Sequence, residues 1–126
     1  MQVIQTEAAP KAIGPYSQAV AVVAGRMVFL SGQIPIDPQT GELIAGDISA
    51  QTERVMQNLK AVLAQAGLEF RHVVRCGIFL TNLADFAKVN EVYACFFSTN
   101  PPARATVQVS ALPRGAAVEI DAIAVG

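Results

Sequence analysis

Pro101-Pro102-Ala103-Arg104-Ala105-Thr106-Val107-Gln108-Val109-Ser110 is the stretch on which the fold turns. Taken with period two, Ala103, Ala105, Val107 and Val109 form one face, and Arg104, Thr106, Gln108 and Ser110 form the other. Such alternation marks a half-buried strand. The prolines cannot donate to a ladder, so they mark where the strand begins. They also push the residues before them out of helical conformation, so a helix upstream must end before Asn100. One arginine then stands at a strand's mouth, on its polar face, in a chain with only 15% charged residues. A guanidinium is a planar fork that fits a carboxylate with two hydrogen bonds, which makes a small anion the first ligand to suspect. A solvated surface arginine with a loose ion pair is the alternative that spacing leaves open.

Working outward, Leu112-Pro113-Arg114-Gly115 reads as a turn and Ala116 to Val125 as the last strand. Val118, Ile120, Ala122 and Ala124 share one face of it; Ala117, Glu119, Asp121, Ile123 and Val125 share the other. Two carboxylates on an otherwise apolar strand must be paired, hydrogen-bonded, protonated or exposed at an edge. Upstream, Phe86, Val89, Tyr93, Phe96 and Phe97 make the stripe of a helix that Asn82 caps, with Asp85 in a capping-box-like position. Asn90 interrupts that stripe where an apolar residue is expected, so it either bonds backbone or lines a pocket. His72 to Thr81 alternates as a strand, with Val74, Cys76, Ile78 and Leu80 facing one way.

A second helix is written into Val55, Met56, Leu59, Val62, Leu63 and Ala66, capped by Asp47 or Ser49 and stopped by Gly67. Residues 34–46, with Pro35, Pro38, Gly41 and Gly46, form a long loop with a tight turn around Asp37 to Gly41. Ala19 to Val23 and Met27 to Leu30, broken at Ala24-Gly25, read as a β-hairpin. Before them, Ile13-Gly14-Pro15-Tyr16-Ser17-Gln18 is a Gly-Pro turn that delivers a tyrosine. The order strand, strand, helix, strand, helix, strand, strand predicts an α+β layer with both helices on one face of a mainly antiparallel sheet.

Composition narrows the function classes. The 126 residues suit one domain, 1–126, and 52% of them are apolar. Nine Lys and Arg against ten Asp and Glu give no basic field for nucleic acid, which is not an expected partner. No apolar run is long enough to span a bilayer, and no signal-peptide pattern opens the chain. Cys76 and Cys95 are far apart and read as free thiols of a cytoplasmic protein. His72 is the sole histidine and has no ligand pattern around it, so a metal site is not expected.

Five segments together resemble the RidA family, also called the YjgF family: Ile13-Gly14-Pro15-Tyr16-Ser17-Gln18, Ser31-Gly32-Gln33-Ile34-Pro35, Asp85-Phe86-Ala87-Lys88-Val89-Asn90, Pro102-Ala103-Arg104, and Val118 to Ala124. The resemblance implies a chorismate-mutase-like (bacillus-type) α+β fold and a homotrimer with clefts between subunits. It implies a 2-iminobutanoate/2-iminopropanoate deaminase, hydrolysing the imine products of pyridoxal-phosphate-dependent dehydratases to 2-oxo acids and ammonia without a cofactor. By the same resemblance Arg104 clamps the substrate carboxylate and Glu119 activates the attacking water. Tyr16, Ser31, Gly32 and Asn90 line the pocket, and the backbone at Thr106 holds the imine end. The short Ser98-Thr99-Asn100-Pro101 loop, and threonine at 106 where cysteine is common, depart from the family pattern. They bear on substrate preference more than on the reaction.

Two alternatives stand beside the enzyme. One is an endoribonuclease or translation inhibitor, an activity attributed to some relatives; the other is a non-catalytic trimer that binds small carboxylates. If the last two strands pair as a hairpin, Gln108 lies opposite Glu119, and Arg104 lies roughly 13 Å further along at ~3.3 Å per residue. Two side chains barely bridge that gap around a small molecule, so one cleft-lining group is expected from a neighbouring chain.

Overall fold

The computed structural model describes residues 1–126. Helix α1, Ile48–Gln65, begins where Asp47 accepts a hydrogen bond from Ala50 N at 2.9 Å. It buries Val55, Met56, Leu59 and Leu63, whereas Val62, expected on the same stripe, is exposed. Helix α2, Phe86–Ala94, buries Val89 and Tyr93. Asn82 caps the short 3-10 turn Leu83–Asp85 that leads into α2, accepting from Ala84 N at 3.0 Å. Phe96 and Phe97 fall beyond the helix end, yet their rings stack edge-on against Phe70.

Six strands follow in chain order: β1 (Gln2–Ile4), β2 (Ala19–Ala21), β3 (Met27–Gln33), β4 (Val73–Leu80), β5 (Ala103–Gln108) and β6 (Val118–Val125). They form a two-stranded sheet, β1-β2, and a four-stranded sheet in the order β3-β6-β4-β5. Two predicted pairings are therefore corrected. The second strand pairs with β1 and not with β3. The last two strands form no hairpin: β6 slots between β3 and β4, antiparallel to both, and β5 lies on the far side of β4, parallel to it. Residues 109–117 are too many for a tight hairpin turn, and they carry the chain across the end of β4 instead. The β4–α2–β5 segment is thus a crossover unit, which is what makes a parallel pair possible.

Alternation on β6 is as expected, with Val118, Ile120 and Ala124 fully buried and Ala122 nearly so. On β4 a register shift between Val73 and Arg75 puts Val73, not Val74, into the core. The core lies between the sheet and the two helices, and each fully buried Leu or Ile there contributes about 1.5–3 kcal/mol. The other face carries no helix. Phe29 (69% exposed), Met27 and Val107 stand open on it, alongside Phe79 and Ile123.

Strand β5 meets its neighbours the other way round from a simple half-buried strand. Arg104 pairs with buried Cys76 and Thr106 with buried Ile78, so the polar face looks toward the helices. The small apolar face, Ala105 and Val107, looks out.

Candidate active site

Arg104 leaves β5 on the helix side and runs under α2. Its guanidinium carbon lies 5.3 Å from the Tyr16 ring centre, 5.5 Å from Phe86 and 5.2 Å from Tyr93. Nη1 donates to Asn90 Oδ1 at 2.6 Å, so the odd polar position on α2 bonds a side chain and not backbone. No carboxylate pairs with this arginine; the two ion pairs of the chain are Arg71–Glu69 and Arg114–Glu42, both on the surface. Partial burial pulls the Arg104 guanidinium below its ordinary value, against the pull of Tyr93, Cys76 and Tyr16. A half-buried cation with three π-faces and one amide around it is held charged but uncompensated. That is the electrostatic form of an anion receptor.

The walls come from separate elements. Tyr16 arrives on a loop that starts at Gly14, whose φ of +115° favours glycine. A Cβ at Gly14 would also stand 3.8 Å from Asn90 Nδ2 and 3.9 Å from Arg104 Nη2, so this residue borders the guanidinium as well. Tyr16 Oη accepts from Ile13 N at 3.3 Å, which ties the ring to its own loop. Thr106 lies one step along β5 on the same face, with its Oγ1 buried and unpaired. Tyr93 Oη is likewise buried and makes no regular hydrogen bond, with the Cys76 thiol as the polar group that interacts with it. Burial pushes the Cys76 thiol up to about 11 and the Tyr93 hydroxyl upward as well.

Glu119 belongs to a second group. It pairs in register with Phe79, which pairs with Val107, so it projects from the open face of the sheet. Against it sits Gly32, in the irregular part of β3 between Leu30 and Gln33; a Cβ there would come within 2.8 Å of Glu119 Cδ. Glycine leaves room for the carboxylate where it stands, and a side chain at 32 would push the flexible end of Glu119 aside. Ser31 is exposed beside it. Asp121, the other acidic residue of β6, is occupied: its Oδ1 accepts from Gly77 N at 2.9 Å.

The chain thus gathers Tyr16, Asn90, Arg104 and Thr106 on one side of the sheet, and Ser31, Gly32 and Glu119 on the other. From β5 to β6 is about 10 Å across two strand spacings, and the register adds about 10 Å along the strands. The hairpin expected from the sequence placed the two groups on paired strands; the interposed β4 separates them further. Sequence reasoning took Phe86 and Tyr93 for core stripe alone and did not single out Gly14 as a border of the site. A cleft of about 620 Å³ adjoins the cluster, lined by Lys11, Gly14, Tyr16 and Ser17 among others. Arg104 itself is not in its wall.

The family model described as Endoribonuclease L-PSP matches residues 6–126. The chain belongs to the RidA family. Protein DfrA of Myxococcus xanthus is 72% identical over 122 residues, covering 97% of this chain and 93% of that one. The 2-iminobutanoate/2-iminopropanoate deaminase of Mus musculus is 47% identical over 124 residues, covering 98% and 90%. Among solved RidA-like structures, E. coli TdcF with bound serine superposes with a TM-score of 0.77 at 46% identity, over 100% of this chain and 99% of that one. The α+β arrangement, two helices on one face of a four-stranded sheet, is therefore that of the RidA structures. RidA relatives carry both names, deaminase and endoribonuclease, so membership alone does not choose the reaction.

Proposed function

We propose that this RidA protein hydrolyses small 2-imino acids to 2-oxo acids and ammonia, in a site that two copies of the chain build together. The observation that carries the reading is Arg104: a half-buried cation with no carboxylate partner, aimed by Asn90 and walled by three aromatic rings. It suits the carboxylate that every 2-imino acid bears. In the mouse relative the named activity is imine deamination, and the TdcF structure holds serine, itself a small carboxylate.

Hydrolysis needs a protonated imine, a water and a base. Water adds to the C=N carbon of the iminium as a carboxylate takes its proton; the carboxylic acid then protonates the amino nitrogen, and ammonia leaves as the hydroxyl gives up its proton and becomes C=O. Glu119 is the base we assign. Its carboxylate projects from the open face unencumbered by any hydrogen bond, and it also offers the negative field that favours the iminium. Since Arg104 and Glu119 lie on opposite faces within one chain, the base comes from a neighbour whose open sheet face packs beside the first chain's Arg104 cluster. Exposed Phe29, Met27 and Val107 supply apolar surface for that packing. A closed trimer is the assembly we assign: a contact between unlike surfaces makes a ring when its rotation closes, and the resemblance to the family implies three copies. Gripping the carboxylate in a fixed orientation holds the imine carbon within reach of the activated water.

The test is a coupled assay. A pyridoxal-phosphate-dependent dehydratase generates 2-iminobutanoate or 2-iminopropanoate, semicarbazide traps it, and the protein is expected to lower the trapped fraction. Arg104→Ala and Glu119→Gln are each expected to abolish that effect. Mixed after co-refolding, the two inactive variants should regain about a quarter of the wild-type rate, because each partner is the right one half of the time. No recovery on mixing would place both groups in one chain's site. Retained binding with no turnover in the wild type would leave a carboxylate-binding protein.

A further inference from the structure

The Ile13–Gln18 stretch delivers Tyr16 to the arginine, but the residue after it is the one that anchors the delivery. Ser17 is 6% exposed and one of two buried polar residues in the chain. The other, Thr52, has its hydroxyl satisfied within its own helix by Ile48 O. Ser17 spends both of its donors on the entry to β5: Oγ donates to Pro101 O at 2.5 Å, and the backbone N donates to Pro102 O at 3.2 Å.

We infer that Ser17 is a positioning residue, which pins the Tyr16 loop to the start of β5 and so holds the tyrosine ring against the Arg104 guanidinium. Three observations support it. First, these are the only two hydrogen bonds between residues 1–21 and the rest of the chain. The β1-β2 pairing and the four bonds of Gln18, to Thr6, Ala9 and Pro10, fasten that segment only to itself. Second, the prolines have no N–H, so a reciprocal ladder cannot form and every bond must run from the Ser17 side. A side-chain hydroxyl supplies the second donor that a backbone pair would otherwise provide. Third, Arg104 begins its side chain two residues beyond Pro102, and Tyr16 precedes Ser17 directly. The clamp therefore couples ring and guanidinium through the shortest stretch of covalent chain available.

This inference rests on the reading of Arg104 as the ligand-binding cation, and its test separates the two. The chain has two tyrosines and no tryptophan, and Tyr93 is fully buried, so acrylamide quenching of the intrinsic emission reports on Tyr16. Ser17→Ala is expected to raise the quenching constant about twofold, as a released loop opens locally. Ser17→Thr, which keeps the hydroxyl, is expected to stay near wild type. An unchanged constant in Ser17→Ala overturns the inference. In calorimetric binding of 2-oxobutanoate, Ser17→Ala and Tyr16→Ala are each expected to weaken affinity about fivefold, and the double variant no more than Tyr16→Ala alone. Additive losses would show that Ser17 acts by another route, and also overturn it. A wild-type protein that binds no 2-oxo acid fails the functional reading alone, and the quenching comparison then decides Ser17 without it.

Discussion

At the scale of single residues, Tyr93 shows what the Arg104 cluster does to stability. Its ring serves both the core and the cation, while its hydroxyl is buried with no partner. An unsatisfied buried hydroxyl costs about 1–3 kcal/mol. Tyr93→Phe keeps the ring and should stabilise the fold by about 1 kcal/mol, raising the melting temperature by about 3–5 °C in calorimetry. A lower melting temperature would mean that the Cys76 thiol is a true hydrogen-bond partner after all. Part of this cluster could be read before the structure: an arginine on a polar strand face and an asparagine breaking an apolar stripe are both out of place enough to single out. What could not be read is that the stripe itself supplies two of the three rings. Periodicity says which residues face inward, not what stands between them and the next layer.

At the scale of elements, the helices were legible because their ends carry their own chemistry. Asp47 accepts from Ala50 N, and removing that cap in Asp47→Ala should lower unfolding free energy by about 1 kcal/mol in urea titration, with the slope unchanged. An unaffected midpoint would mean that water replaces the cap at no cost. Strand partners were not legible, because pairing is set by tertiary packing and the two hairpins inferred from proximity in sequence do not form. Strand β6 takes the central place, with one face wholly apolar for the helices to cover and a ladder on each side. Strand β5 kept its predicted alternation but turned its polar face to the helix layer. Alternation divides the residues between two faces; which face the helices cover is decided by the neighbouring strand.

At the scale of the whole molecule, the pH profile of stability follows from one buried thiol. Cys76 ionises near 9 when unfolded and is pushed up to about 11 by burial, so between those values the unfolded chain has shed a proton that the folded chain retains. Stability is therefore intact below about pH 9 and falls as pH rises toward 11, by roughly 2–3 kcal/mol if this group acts alone. Tyr93, shifted in the same direction, extends the loss to still higher pH. Urea midpoints across this range check it: Cys76→Ala should flatten the alkaline limb, and an equally steep limb in that variant would assign it elsewhere. The sheet also distributes its strength unevenly. β6 is held by a ladder on each side, whereas β3 and β5 each have one ladder only and a free outer edge, so the strand that bears the arginine is one of the two most easily frayed. Backbone amides of residues 103–108 should exchange with deuterium sooner than those of β6, and an occupant gripped by Arg104 should slow them first. Occupancy would then be readable in the breathing of one outer strand, while the middle of the sheet stays silent.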